Sequence, residues 1–327
     1  MELQSDKELE YSETNPQTEI FEYPPKPEIT DKKQTILKSI YSVLIFGAAF
    51  YFLFGWDLVS LAILIGIILI HELGHFTAMK LYNYKDLSIF FVPLVGAFAS
   101  GEKDEVSQKQ QIIISLAGPI PGIIIGSVLA YFGWLNEHNL LYRTGSLFLF
   151  LNIFNLLPVL PMDGGRIIQT LFFNQKEAII IALLWISIVL FALFGFYTQN
   201  WIVIIVCLLI FTQVRLKTQY LKVKKILKNK GFNIEKNFSE LTNEEYWKIR
   251  EVMASNMRFI GNLTNPDNYS EVAGEKTIIK AMKNIFQKPP TKSLGITGKI
   301  LFFLTWLLSF TIPIIIFVGL MIWKGTI

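Results

Sequence analysis

Cysteine is nearly absent from this chain. The single Cys207 lies in an apolar run, so no internal disulfide can staple the fold and no thiolate set can hold a metal. Histidine is almost as scarce, with three in 327 residues, so histidine chemistry has few places to occur. Residues 1–30 have no apolar core, and no cleavable signal peptide is expected there. Charged residues make up only 17% of the chain and the net charge of +4 is mild, so no nucleic-acid partner is expected.

Apolar residues, by contrast, account for 52% of the sequence, and the mean hydropathy is +0.44. Several runs approach or exceed the roughly 20 residues that cross a bilayer, so the chain reads as an all-α polytopic membrane protein embedded in lipid. Residues 1–31 are acidic, carry Pro16, Pro24, Pro25 and Pro27, and lack helical or strand periodicity; a disordered tail is expected. Residues 32–214 hold six candidate spans, at about 36–54, 56–81, 111–135, 146–160, 178–196 and 201–214. Residues 215–298 are polar and basic. They begin with an amphipathic helix over 220–230, suited to an anionic membrane surface or to solvent, and two more helices are expected near 244–259 and 276–286. A seventh span over about 300–323 occupies the last segment, 299–327.

Two stretches break this pattern. Residues 88–99 are apolar and aromatic-rich but contain Pro93 and Gly96, which disfavours a helix and favours a short re-entrant β-element. Such backbone survives at membrane depth only when buried in protein or lining a watery cavity. The fourth span runs into Asn155-Leu156-Leu157-Pro158-Val159-Leu160-Pro161-Met162-Asp163-Gly164-Gly165-Arg166. Two prolines three apart end the helix there, leaving an unwound segment that carries an asparagine and an aspartate.

Charge sets the expected orientation. Cytoplasmic loops are enriched in Lys and Arg. A cytoplasmic amino terminus flanked by Lys32 and Lys33, followed by seven alternating spans, puts Lys80, Lys85, Lys103, Lys109, Arg166, Lys176 and the basic 215–299 region inside. His71, His75 and Asp163 then fall at that same side. The sequons at Asn237, Asn262 and Asn268 also fall inside and are read as chance matches.

The second span ends in Ile70-His71-Glu72-Leu73-Gly74-His75. Positions i and i+4 share a helix face, so both histidines can reach one metal ion, with Glu72 next round the helix. Zinc takes neutral imidazoles and, in catalytic sites, keeps a position open for water. Two of only three histidines and a glutamate lie at the end of a lipid-compatible run, where ionisable groups are costly and usually functional. For a third ligand, His138 falls on the opposite side of the membrane. Glu102, Asp104 and Glu105 lie on the correct side but in a polar loop, where solvation suffices to explain them. Asp163, on broken backbone beside two glycines, is favoured.

The pairing of His71-Glu72-Leu73-Gly74-His75 with Asn155-x-x-Pro158-x-x-Pro161-x-Asp163-Gly164-Gly165 resembles the site-2 protease family of intramembrane zinc metalloproteases, over about residues 58–171. The resemblance implies that His71, His75 and Asp163 bind one Zn2+ and that Glu72 is the general base. It implies a substrate-binding or oxyanion role for Asn155. Residues 92–100 look like the family's β-element and Ala117-Gly118-Pro119 like its third core helix, although some members carry an asparagine where this chain has Gly122. No PDZ insert separates the core helices, and 215–298 has no recognisable regulatory repeat; a partner for that region is left open. The expected reaction is hydrolysis of a peptide bond within or near a transmembrane segment of a membrane-protein substrate, probed against two alternatives: a membrane zinc or ion transporter, and a catalytically inactive scaffold. Nearly charge-free first, fifth, sixth and seventh spans weigh against the transporter, and the complete set of catalytic residues against the scaffold. Lysine-rich, isoleucine-rich and arginine-poor usage leans towards a bacterial inner membrane, with an organellar membrane as the alternative.

Overall fold

The computed structural model describes residues 23–27, 36–93, 96–103, 105–173, 176–199, 202–264, 269–286 and 292–323. Apart from 23–27, the expected acidic tail lies outside the described residues, as do Lys32, Lys33, Asp104, Asn268 and the carboxyl-terminal Lys324.

The chain opens with a helical hairpin, α1 (Ile36–Phe54) and α2 (Leu58–Leu81). Gly55 supplies the left-handed turn between them at φ +63°, a conformation that costs glycine nothing. Asp57 then caps α2, its Oδ1 accepting from the Val59 and Ser60 N–H groups at 3.0 Å each. The expected β-element follows as β1 (Lys85–Val92) and β2 (Gly96–Glu102), an antiparallel pair with Ile89 opposite Ala99 and Phe90 opposite Phe98. On the β1 side, Ser42 of α1 accepts from the Phe91 N–H at 3.0 Å and Phe46 meets the Phe91 ring edge-on at 5.5 Å. One edge of the hairpin is thus covered by α1, and β2 turns towards α2.

The third span starts earlier than expected and is divided into two helices. Its first part, α3 (Gln108–Ala117), is started by a Ser107/Gln110 capping box. It gives way at Gly118 to α4 (Pro119–Leu135), where Pro119 sits at the first helical position and its missing N–H costs no bond. Next is α5 (Asn139–Asn155), capped by His138 at the end remote from Asn155. Residues 156–162 are non-helical, as the two prolines require, and α6 (Asp163–Phe172) restarts at Asp163. Leu156, Ile167 and Leu171 are fully buried against Ile112 of α3. The remaining elements are α7 (Glu177–Thr198), α8 (Ile202–Asn229), α9 (Asn243–Asn256), α10 (Arg258–Gly261), α11 (Glu275–Ile285) and α12 (Ile296–Trp323). The sixth span and the basic 220–230 helix, expected as separate elements, are one continuous α8. Trp306 of α12 donates its indole N–H to the Leu156 carbonyl at 2.9 Å, which ties the last helix to the unwound segment.

Among the described residues, five helices are long and apolar enough to cross a membrane: Leu58–Leu81, Gln108–Leu135, Glu177–Thr198, Val203–Asn229 and Ile296–Ile315. A shorter apolar helix covers Leu37–Leu53, and the 17-residue α5 is not among the five. Their outer faces carry large apolar side chains open to the surroundings, including Phe52, Leu53, Leu193 and Leu301. In water such surface would drive association; in lipid it is the required exterior. The protein is an integral membrane protein.

Past α8 the chain builds a second core. Tyr246, Trp247 and Met253 of α9 pack with Ile278 and Met282 of α11 and with Val223 and Leu227 at the end of α8. Two ion pairs join this side of the molecule to α7 and to β2: Lys224 to Glu177 at 2.5 Å and Lys283 to Glu102 at 3.2 Å.

Candidate metal centre

His71 and His75 sit one turn apart on the inward face of α2, both buried. The non-helical 156–162 segment swings back so that the first residue of α6 faces them. Asp163 Oδ2 lies 3.1 Å from His71 Nε2 and 3.1 Å from His75 Nε2, and the two Nε2 atoms are 3.1 Å apart. Gly164 and Gly165 make this approach possible, because a side chain on either would overlap the backbone of residues 156–160.

The outer ring nitrogens decide what this triangle is for. His75 Nδ1 lies 2.7 Å from the Ile114 carbonyl oxygen, an atom that can only accept, so Nδ1 carries the hydrogen. His71 Nδ1 lies 2.9 Å from Asn152 Oδ1. The Asn152 amide is oriented by its Nδ2, which donates to the Phe148 carbonyl at 2.8 Å, so Oδ1 also accepts and His71 Nδ1 also carries its hydrogen. In their neutral forms both rings therefore present Nε2 lone pairs to a carboxylate oxygen. Three lone pairs converging in a buried site repel one another unless a cation sits between them. A tetrahedral ion with bonds of about 2.0–2.1 Å needs ligand atoms about 3.3 Å apart, close to the spacing present. Among the described residues these three form the one group of histidine, cysteine or acidic side chains disposed to hold a metal.

Two glycines on the neighbouring helices leave room for this arrangement. A Cβ at Gly118 would overlap the His75 ring, and one at Gly122 would overlap the Asn152 amide. The position beside Gly122 is thus filled from α5 by Asn152, a residue that the sequence reading passed over in favour of Asn155. Its signal was present: a buried amide in an otherwise apolar span is costly unless it has partners.

Glu72 is buried beside the histidines and accepts a hydrogen bond from the Ala99 N–H at 2.6 Å. That N–H points away from β1, so β2 presents its outer edge to the glutamate. Asn155 ends α5 one turn beyond Asn152, and its Nδ2 donates to the Leu151 carbonyl at 3.1 Å; the structure does not bring it into the His71, His75, Asp163 cluster. His138 caps the far end of α5, Glu102 pairs with Lys283, and Glu105 is exposed. None of these reaches the cluster.

The structure is that of a helical membrane protein in which two buried histidines and a carboxylate could hold a metal beside an acidic residue. Residues 59–139 match the model of peptidase family M50. The chain is 32% identical over 184 residues to a zinc metalloprotease of Methanocaldococcus jannaschii, covering 53% of each protein. It is 30% identical over 138 residues to stage IV sporulation protein FB of Bacillus subtilis, covering 37% of this chain and 46% of that one. A solved structure, the site-2 protease from Methanocaldococcus jannaschii, aligns with a TM-score of 0.42 at 27% identity, over 55% of this chain and 88% of the other. The segment that bears the two histidines is thus similar to peptidase family M50 and to curated zinc metalloproteases. The chain spans about half the length of the curated relatives it matches.

Proposed function

We propose that this protein is an intramembrane zinc metalloprotease that cleaves a peptide bond within or near a transmembrane segment of a membrane-protein substrate, in regulated intramembrane proteolysis. The observation that carries the reading is the convergence of three lone pairs, from His71, His75 and Asp163, beside a buried Glu72 inside a bundle of apolar helices. One Zn2+ per chain fits the donor set; bound there it would act as a Lewis acid on a peptide carbonyl and acidify a water.

The chain's own residues account for the rest. Glu72 takes the proton of the attacking water and passes it to the leaving amine. Asn152 holds His71 in the tautomer that directs Nε2 inward, and the Ile114 carbonyl does the same for His75. Asn155, by its family likeness, binds the developing oxyanion or the substrate backbone. A substrate helix hides its carbonyls in its own hydrogen bonds and must unwind to be cut. The outer edge of β2 can take the unwound strand by β-addition. A substrate carbonyl accepting from the Ala99 N–H would then replace Glu72 there and free the carboxylate for its water.

The same reading makes residues 32–214 the protease core with six of seven spans, 215–298 a cytoplasmic helical unit, and 299–327 an anchoring helix. The amino terminus is cytoplasmic in a bacterial inner membrane. The contacts of Lys224 with Glu177 and of Lys283 with Glu102 support a shared side for these loops. The test is zinc per chain together with cleavage of a transmembrane substrate in wild type, Glu72→Gln and Asp163→Ala. About one zinc is expected in the first two, with cleavage only in wild type, and a marked loss of zinc in Asp163→Ala. Cleavage by a well-folded Glu72→Gln protein would sink the proposal.

A further inference from the structure

Residues 23–27, Tyr-Pro-Pro-Lys-Pro, lie against the helical unit beyond α8, more than 200 positions away in sequence, and the contacts are those of a bound peptide. The indole N–H of Trp247 donates to the Pro24 carbonyl at 2.8 Å. Tyr23 packs edge-on against Tyr269 with ring centres 5.2 Å apart. The Lys26 ammonium donates to three backbone carbonyls, those of Phe238, Ser239 and Leu241, at 3.0, 3.1 and 3.0 Å. Its backbone N–H donates to Asn243 Oδ1 at 2.9 Å.

Each feature is one that proline-rich recognition requires. A proline-rich strand is extended before it binds, has exposed carbonyls and loses little entropy on docking against aromatic side chains. Here an indole N–H reads the carbonyl of Pro24, which is followed by a second proline with no N–H to offer. The cup of three carbonyls matches the three donors of an ammonium; a planar guanidinium presents its donors in one plane and would not fill it. The receiving surface is also built. Trp247 is buried and backed by the Arg250 guanidinium at 4.8 Å from its ring, and Arg250 is fixed by a buried ion pair to Glu275 at 3.1 Å.

We infer that the groove formed by residues 238–243, Trp247 and Tyr269 is a recognition site for proline-rich segments of the Pro-Pro-Lys-Pro type, and that the chain's own 23–27 segment is its resident, tethered ligand. A partner protein carrying such a segment competes for the groove. A short tether gives the resident segment an effective concentration in the millimolar range, so a groove of modest intrinsic affinity stays filled until a competitor displaces it. This inference does not depend on the protease reading.

The experiment uses the full-length protein in detergent and a fluorescent peptide of residues 18–30. In wild type the groove is occupied and the added peptide should bind weakly. In Lys26→Glu, which disables the tethered copy, the same peptide should bind at least about tenfold more tightly. A peptide with its lysine replaced by alanine or arginine should lose at least about tenfold. Trp247→Phe in the Lys26→Glu background keeps the ring and removes the donor, and should weaken peptide binding. Hydrogen exchange over 238–247 reports independently, with protection expected to fall in Lys26→Glu and to return on adding peptide. Failure of a folded Lys26→Glu protein to bind millimolar peptide, or binding indifferent to the peptide's lysine, overturns the proposal.

Discussion

His71 and His75 each turn Nδ1 to an oxygen acceptor and Nε2 towards Asp163, so under the proposed zinc reading Asn152 and the Ile114 carbonyl would carry part of the metal affinity. Asn152→Ala is expected to weaken zinc binding by about 10–100-fold, and Asn152→Asp, which keeps an acceptor towards Nδ1, to restore most of it. Chelator competition measures this without any activity assay. Gly118→Ala should also lower zinc content, because its methyl group meets the His75 ring. The grouping of His71, His75 and Asp163 was legible in the sequence for a physical reason: metal chemistry restricts residue type, and a helix restricts spacing. Asn152 carried only the general signal of an amide in an apolar span, because a supporting amide has no fixed spacing from the ligand it supports. Asn155, three residues on, fits the family pattern better but makes only a local bond in the structure.

The elements divide in the same way. The 156–162 break fell where its two prolines put it, whereas the cap at Asp57 and the helix boundary at Pro119 lay within stretches read as single spans. The hairpin of β1 and β2 was legible from Pro93 and Gly96 interrupting an aromatic run. What the sequence concealed was continuity: the change from apolar to basic near Arg215 read as the end of a span, but composition can change along a helix without ending it, and α8 runs on to Asn229. The outward N–H of Ala99 gives one prediction at this scale. Ala99→Pro removes that donor and leaves the β1 pairing intact, so zinc content should hold while KM for a membrane substrate rises. A second concerns α9, whose first turn is closed by a Thr242/Glu245 capping box. Thr242→Ala should cost about 1 kcal/mol. Burial would raise the Glu245 carboxyl, but the hydrogen bonds from Lys236 and Thr242 outweigh it and hold the group below its ordinary value of 4.5. A depressed carboxylate stabilises the fold above its unfolded pKa and loses that contribution as pH falls through its folded one. Stability of the α9 unit, followed by Trp247 fluorescence, should therefore decline below about pH 4.5, and Glu245→Gln should flatten that limb.

For the whole molecule, two cores share one chain. The membrane core surrounds the metal centre, while the second core rests on an internal charge network: Glu275 accepts from Arg250 at 3.1 Å, from the Val272 N–H at 3.1 Å and from the Tyr246 hydroxyl. Removing one partner of a buried pair strands the other, so Arg250→Ala should destabilise this unit by about 3–5 kcal/mol. Limited proteolysis should then cut within 238–286 while the zinc content of the membrane core stays unchanged. Chelation should do the reverse, abolishing cleavage without exposing the α9 unit to protease. The helical and basic character of 215–298 is legible in the sequence, but its contact with the other end of the chain is not, because no local pattern links Trp247 to Pro24.

The docking of residues 23–27 has a mechanical consequence. From Pro27 to the start of α1 at Ile36 is nine residue steps, at most about 30 Å of chain. A pull on the segment preceding Tyr23, such as capture by a protease or by another protein, is borne first by Trp247 and by the carbonyls around Lys26. Only when those contacts yield does load pass to α1, whose Ser42 and Phe46 hold β1 in place. The lysine cup thus acts as strain relief, like the clamp on a cable that keeps a tug from reaching the terminals.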